Sequence, residues 1–203
     1  MVTEPLYNPC GGDLALDFLN STGRTREGTE NERLVDYGAF LSWSEEAGTL
    51  SPDHRRALVR RAQADPRAAQ AVLERAIELR ESLFPVFFAD LEGKEPPPDG
   101  LEVLNAELAR ALPHAVITAD GEGYRWAWDQ GSDALDAPLW PLARAAADLL
   151  VSPDRARIKE CASDCSWLFV DRTRNRRRRW CEMKSCGNRE KVREHRRRKR
   201  AGS

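Results

Sequence analysis

CASDC-SWLFVDRTRNRRRRW-CEMKSC-GNR, residues 161–189, is the stretch that decides the fold. Its four cysteines, Cys161, Cys165, Cys181 and Cys186, form two close pairs, with three, fifteen and four residues between successive members. Each pair fits one tight turn, and two such turns brought together supply the four tetrahedral ligands of a structural zinc ion. The expected cofactor is therefore one structural Zn2+ per chain. Disulfide pairing is the alternative, and a reducing cytosol disfavours it. Four thiolates leave a tetrahedral zinc no open position for water, and no His-x-Glu base accompanies the pairs, so no catalytic residue is assigned and no enzyme is expected.

Local pattern around the cysteines gives the expected shape. Cys161 to Cys165 is a knuckle, while Trp167–Val170 and Arg179–Trp180 read as two strands of a hairpin turning over Thr173–Arg176. Cys186 would open a helix, with Gly187 allowing close approach behind the ligand and Asn188 as N-cap. Knuckle, hairpin and ligand-bearing helix together describe a treble-clef-like finger. Trp167, Phe169 and Trp180 are expected to form its small core with Val192; stacking on unpaired bases is the other use of such aromatics.

Charge divides the chain at the same place. Residues 1–150 carry 14 Lys and Arg against 26 Asp and Glu, a net charge of −12, whereas residues 151–203 carry 18 against 7, a net charge of +11. A basic segment of that density points to phosphate. The candidate nucleic-acid contacts are Arg172, Arg174, Asn175, Arg176, Arg177, Arg178 and Arg179 around the hairpin tip, then Lys184, Arg189, Lys191, Arg193, Arg196 and Arg197 towards and along the last helix. Asn175, Arg176, Arg189 and Arg193 are the candidate base readers. Opposite charge on the two segments also predicts that the acidic one weakens binding by the basic one.

Upstream, the pattern is helical. Asp36 caps a helix carrying Tyr37, Phe40 and Leu41; Ser51-Pro52 opens another with Leu58 and Val59. The longest pattern follows Pro66, with Val72, Leu73, Ala76, Leu79, Leu83, Phe84, Phe87 and Phe88 inward, and Pro85 is expected to kink or interrupt it. Pro96–Gly100 reads as a loop, followed by an amphipathic helix with Leu101, Leu104, Leu108 and Leu112. Ala115–Thr118 and Tyr124–Trp128 flank a turn and read as a β-hairpin, and Leu139–Leu150 is a final helix ended at Ser152-Pro153. The segment Gly11–Asn20 suits either a strand or a helix; Asp17 and Asn20 are candidate ligand-binding residues there, with a capping or turn role as the alternative. Cys10 reads as a small buried hydrophobe.

The motif Cys186-Gly187-Asn188-Arg189, preceded by Trp167–Asp171, Arg174-Asn175 and Arg179–Cys181, resembles the CGNR zinc-finger family. The upstream chain resembles the companion ABATE domain in Gly11–Asn20, Leu79-Arg80-Glu81-Ser82-Leu83 and Leu139-Trp140-Pro141-Leu142-Ala143. These resemblances imply a bacterial, stress-related transcription regulator with a C-terminal DNA-binding finger.

The expectation is a mainly α chain with a small β-hairpin (α+β): a helical domain over residues 1–151 and a zinc finger over 152–203. The expected function is zinc-dependent DNA binding, with the helical domain sensing a small-molecule effector or forming a homodimer. An RNA-binding or ribosome-associated protein is the alternative. No run approaches the roughly 20 apolar residues of a membrane helix, and Met1–Asn8 lacks a basic segment leading an apolar one; the expected location is the cytoplasm.

Overall fold

The computed structural model describes residues 6–25 and 28–201, so residues 1–5 of the opening segment lie outside it. In chain order the elements are α1 (Leu14–Leu19), β1 (Thr22–Thr25), β2 (Gly28–Glu32), α2 (Tyr37–Glu46), α3 (Pro52–Ala64), α4 (Pro66–Glu92), α5 (Pro98–Ala111), β3 (Ala115–Ala119), β4 (Tyr124–Trp128), α6 (Leu139–Val151), β5 (Ile158–Glu160), β6 (Leu168–Val170) and α7 (Asn188–Ala201). The strands form three antiparallel pairs, β1–β2, β3–β4 and β5–β6. The chain is mainly helical with small β-hairpins, and no helix among the described residues is long and apolar enough to cross a membrane.

Helix ends follow side-chain chemistry. Asp36 accepts from the Ala39 amide, and Ser51 accepts from that of His54 with Pro52 in the first turn. Asp65 accepts from the Ala68 amide ahead of Pro66, and Gly93 closes α4 in the left-handed conformation at φ 63°. Asp36, Ser51 and Asp65 each satisfy an amide that the first turn leaves unpaired, and the Gly93 amide donates to carbonyls of the last turn.

Two expectations are corrected. Of the kink or interruption expected at Pro85, the interruption does not occur: α4 continues through it, because Leu79, Leu83, Val86 and Phe87 are buried on both sides of it. Burial of one such side chain stabilises by about 1.5–3 kcal/mol, so several offset the ~3 kcal/mol cost of an interior proline. Pro96–Gly100 is not all loop: α5 begins at Pro98, with Gly100 inside it. A Cβ on Gly100 would lie 2.4 Å from Val86 Cγ2 and 2.5 Å from the Ser82 carbonyl oxygen, so only glycine lets α5 approach α4 this closely.

α1 explains its own ambiguous pattern. Asp13 caps it through the Ala15 amide, and Ala15, Leu16, Phe18 and Leu19 are all buried. A helix buried on nearly every side shows no amphipathic period, and here even its one carboxylate, Asp17, is buried. It packs on α4 and α6, whose Leu139, Trp140, Leu142, Ala143, Ala146 and Leu149 are buried. Arg80 of α4 is 1% exposed, its guanidinium donating to Glu32 at 2.8 Å and to Glu81 at 2.9 Å, which ties α4 to the end of β2. Such pairing is what permits a buried charge. The same apolar core takes in Ile158, Leu168 and Val170. The charge boundary near residue 152 is therefore not a boundary of packing.

Candidate metal centre and nucleic-acid interface

β5 and β6 pair with Ile158 opposite Val170 and Glu160 opposite Leu168, so the chain between them forms the knuckle that carries Cys161 and Cys165. Ser166 closes the knuckle in the left-handed region at φ 49°. This corrects the expected hairpin, since the partner of Leu168–Val170 is Ile158–Glu160 and not Arg179–Trp180. The reason lies at the other edge of β6. There the Val170 amide donates to the Gly11 carbonyl at 2.8 Å, and Asn20 takes both the amide and the carbonyl of Leu168. No ladder position remains for Arg179–Trp180, although the Arg179 carbonyl does accept from the Ala162 amide at 2.8 Å.

Cys181 follows the arginine loop, and Cys186 sits in a π-helical turn, Met183–Gly187, that leads into α7. The four sulfur atoms all lie within 4.8 Å of one another, and three of the edges are 3.6, 3.6 and 3.7 Å. Four sulfurs about 2.3 Å from a tetrahedral zinc are roughly 3.8 Å apart, so the set fits one zinc ion. The Cys181 amide also donates to Cys161 Sγ at 3.3 Å, as a thiolate ligand invites. Cys161, Cys181 and Cys186 are buried with Trp167, Phe169 and Cys10, which form the small core of the finger. Cys10 is the addition and Val192 the correction: it is 49% exposed on α7, because the aromatic side chains and Cys10 already cover the cysteines.

Asn188 also differs from expectation. It begins α7 with helical angles, and its Nδ2 donates back to the Lys184 carbonyl at 3.1 Å, so the π-helical turn rather than a cap joins ligand to helix. A Cβ on Gly187 would meet Met183 Sδ at 2.5 Å and a ring carbon of Trp180 at 3.4 Å.

The arginine loop is organised by Asp171, fully buried and overlooked at the sequence level as anything but part of a motif. It accepts from Lys159 Nζ at 2.7 Å, from the Thr173 amide at 3.1 Å and from the Arg178 amide at 3.0 Å. Burial pushes its carboxyl up, but Lys159 and the donors on Thr173 and Arg178 outweigh that and hold it below the usual carboxylate range. The Asp-x-Thr spacing is the signal that would have revealed it.

The candidate contacts divide by surroundings. Arg178 is half-buried and directed inward: it donates to the carbonyls of Cys10 at 2.7 Å, Trp180 at 3.0 Å and Cys181, with its guanidinium 4.4 Å from the Phe169 ring centroid. Arg172 pairs with Asp154 at 2.8 Å and Asp13 at 3.9 Å and donates to the Gly12 carbonyl. Arg193 pairs with Asp164 and with Glu190. Arg174, Asn175, Arg176, Arg177, Arg179, Lys184, Arg189, Lys191, Arg196 and Arg197 are exposed. None of the cations among these ten forms an ion pair with the described residues. Arg176 is held at φ 50°, and its carbonyl accepts from Lys159 Nζ.

Asp17 and Asn20 lie at the seam between α1 and β6. Asp17 accepts from the Gly11 amide at 2.7 Å and from the Tyr7 hydroxyl at 3.1 Å. Burial pushes its carboxyl up to about 6, against the pull of those two hydrogen bonds. Asn20 is occupied by Leu168.

Residues 12–153 match the ABATE family model, described as "Putative stress-induced transcription regulator", and residues 157–199 match that of the CGNR zinc finger. No curated protein matches the chain.

Proposed function

This chain belongs to the ABATE family, and from that premise we propose that it is a DNA-binding transcription regulator whose zinc-held finger grips duplex DNA through its exposed arginines and lysines. The observation that carries this reading is the set of cations that form no ion pair among the described residues, Arg174, Arg177, Arg179, Arg189, Arg196 and Arg197 among them, mounted on a scaffold fixed by four cysteines. Cations with no carboxylate partner keep their full attraction for phosphate. Asn175, Arg176 and Arg189 are the base readers in this reading, and Arg193, being paired, is a weaker one. The helical part senses an effector or mediates oligomerisation. A cleft of about 470 Å³ between β4 and the α2–α3 turn, lined by Trp126, Trp128, Arg125, Gln130 and Ser51, supports a small-molecule site.

Fluorescence anisotropy of the zinc-loaded chain against genomic duplex fragments, across a salt series and with structured RNA as competitor, tests the proposal. If about six phosphates are neutralised, affinity falls roughly a thousandfold between 50 and 200 mM salt. Fragment selectivity that survives moderate salt is expected. Unselective binding overturns the regulator reading, and preference for RNA overturns it in favour of an RNA-binding protein.

A further inference from the structure

Three aromatic side chains stand near the cysteines, and they are placed differently. Trp167 and Phe169 are 9% and 0% exposed, within the finger core. Trp180 is only half-buried, and it forms one wall of a cleft of about 470 Å³ between the knuckle and α7. Arg179 lines the cleft as well, its guanidinium over the indole at 5.1 Å from the ring centroid, the place a stacked base takes when the exposed Arg179 turns outward to a phosphate. Arg197, Glu190 and Glu194 line it from α7. The indole leans on the backbone of the ligand-bearing turn, since a Cβ on Gly187 would stand 3.4 Å from its ring. The metal cluster thus fixes the position of this wall.

We propose that the cleft takes one unpaired nucleotide of a bound DNA strand, its base stacked on Trp180 and its phosphate held by Arg179 and Arg197. This rests on the nucleic-acid reading above and deepens it, by assigning the finger a preference for DNA with an extruded or unpaired base. The chemistry of the walls selects that ligand. Gripping duplex phosphates needs cations alone, and an aromatic wall adds nothing to it. A base of any identity presents a π face, and an indole binds that face. Arg179 and Arg197 form no ion pair among the described residues, which leaves them to a phosphate. The two carboxylates argue against a simple anion site. Glu190, held by Ser163 at 3.1 Å and by Arg193, and Glu194, held by Arg198, are acceptors for the exocyclic amino group of adenine, cytosine or guanine. The volume lies within the range of about 300–1,000 Å³ usual for small-ligand sites.

The test compares three DNA probes with the zinc-loaded full chain: a perfect duplex, the same duplex with one extra unpaired adenine, and the same with an abasic residue in place of that adenine. The bulged adenine is expected to bind roughly tenfold tighter than either other probe, the scale of one base stacked on an aromatic side chain. Trp180→Ala is expected to abolish that preference while leaving perfect-duplex affinity and zinc content unchanged, and Trp180→Phe to keep most of it. Equal binding of the three probes overturns the inference, as does an abasic probe that binds as well as the adenine. Because that comparison uses the unaltered chain, it decides the matter even if Trp180→Ala fails to fold. Failure of all three probes to bind at low salt overturns the nucleic-acid reading itself, whereas tight but equal binding overturns only the cleft.

Discussion

Asn20 pairs with Leu168 as a neighbouring strand would: its Nδ2 donates to the Leu168 carbonyl at 2.8 Å, and its Oδ1 accepts from the Leu168 amide at 3.0 Å, across 148 residues of chain. One side chain thus covers a buried strand edge and binds the acidic helical part to the basic finger. Asn20→Leu keeps the approximate volume and leaves both backbone groups unpaired, which costs about 2–4 kcal/mol. Urea unfolding of the zinc-loaded chain checks this, and a loss under about 1 kcal/mol would show that water replaces the amide.

Zinc removal is expected to loosen the helices as well as the finger. Ile158, Leu168 and Val170 sit in the core that also holds α1, α4 and α6, so disordering β5 and β6 opens that core. A zinc concentration a thousandfold above Kd stabilises the folded chain by about 4 kcal/mol, or roughly 10 °C at this length. Chelation should lower the single helical melting transition by that amount, followed by far-ultraviolet circular dichroism. A helical transition that chelation leaves unmoved would mean that the two parts unfold independently.

Asp17 imposes a pH dependence of defined sign. Its folded pKa of about 6 lies above the value of 3.8 for a free carboxyl, so the fold prefers the protonated form. The stabilisation is complete below the unfolded pKa and is lost as pH rises through 6. Between pH 5 and 8 the loss is about 1 kcal/mol. Asp17→Asn, which can still accept from Gly11 and pair with the Tyr7 hydroxyl, should lack that component of the slope. Parallel slopes for the two proteins in urea unfolding would contradict the assignment.

Neighbouring arginines should separate by role. Arg178 binds the carbonyls of Cys10, Trp180 and Cys181, so Arg178→Gln is expected to weaken zinc retention and thermal stability. Arg177 is exposed and forms no ion pair among the described residues, so Arg177→Gln should leave melting unchanged and reduce the salt slope of DNA binding by about one. Competition with a chromogenic zinc chelator and anisotropy titrations read the two effects; identical behaviour of the two variants would refute the division.

Local features carried much of this into the sequence. The cysteine spacing announces the metal centre because two tight turns are short-range objects. Asp36 and Ser51 mark helix ends because a cap acts within one turn. The β3–β4 hairpin was legible for the same reason, but β1–β2 was not, since Thr22–Thr25 and Gly28–Glu32 show no apolar alternation. Arg178 could not be told from Arg177 by its surroundings in the chain, because both lie in one run of arginines.

By itself, then, the sequence determined the helical class, the segregation of charge and the four ligands of one zinc, all set by composition and by spacings of a few residues. Only the tertiary structure decided which strand pairs with Leu168–Val170, that Cys10 and not Val192 completes the finger core, and that one apolar core joins the acidic and basic segments. Those outcomes depend on which backbone groups and apolar surfaces remain unsatisfied after local structure forms. Residues 11–20 reach the free edge of β6 through a fold more than a hundred residues long, and no local pattern encodes that meeting.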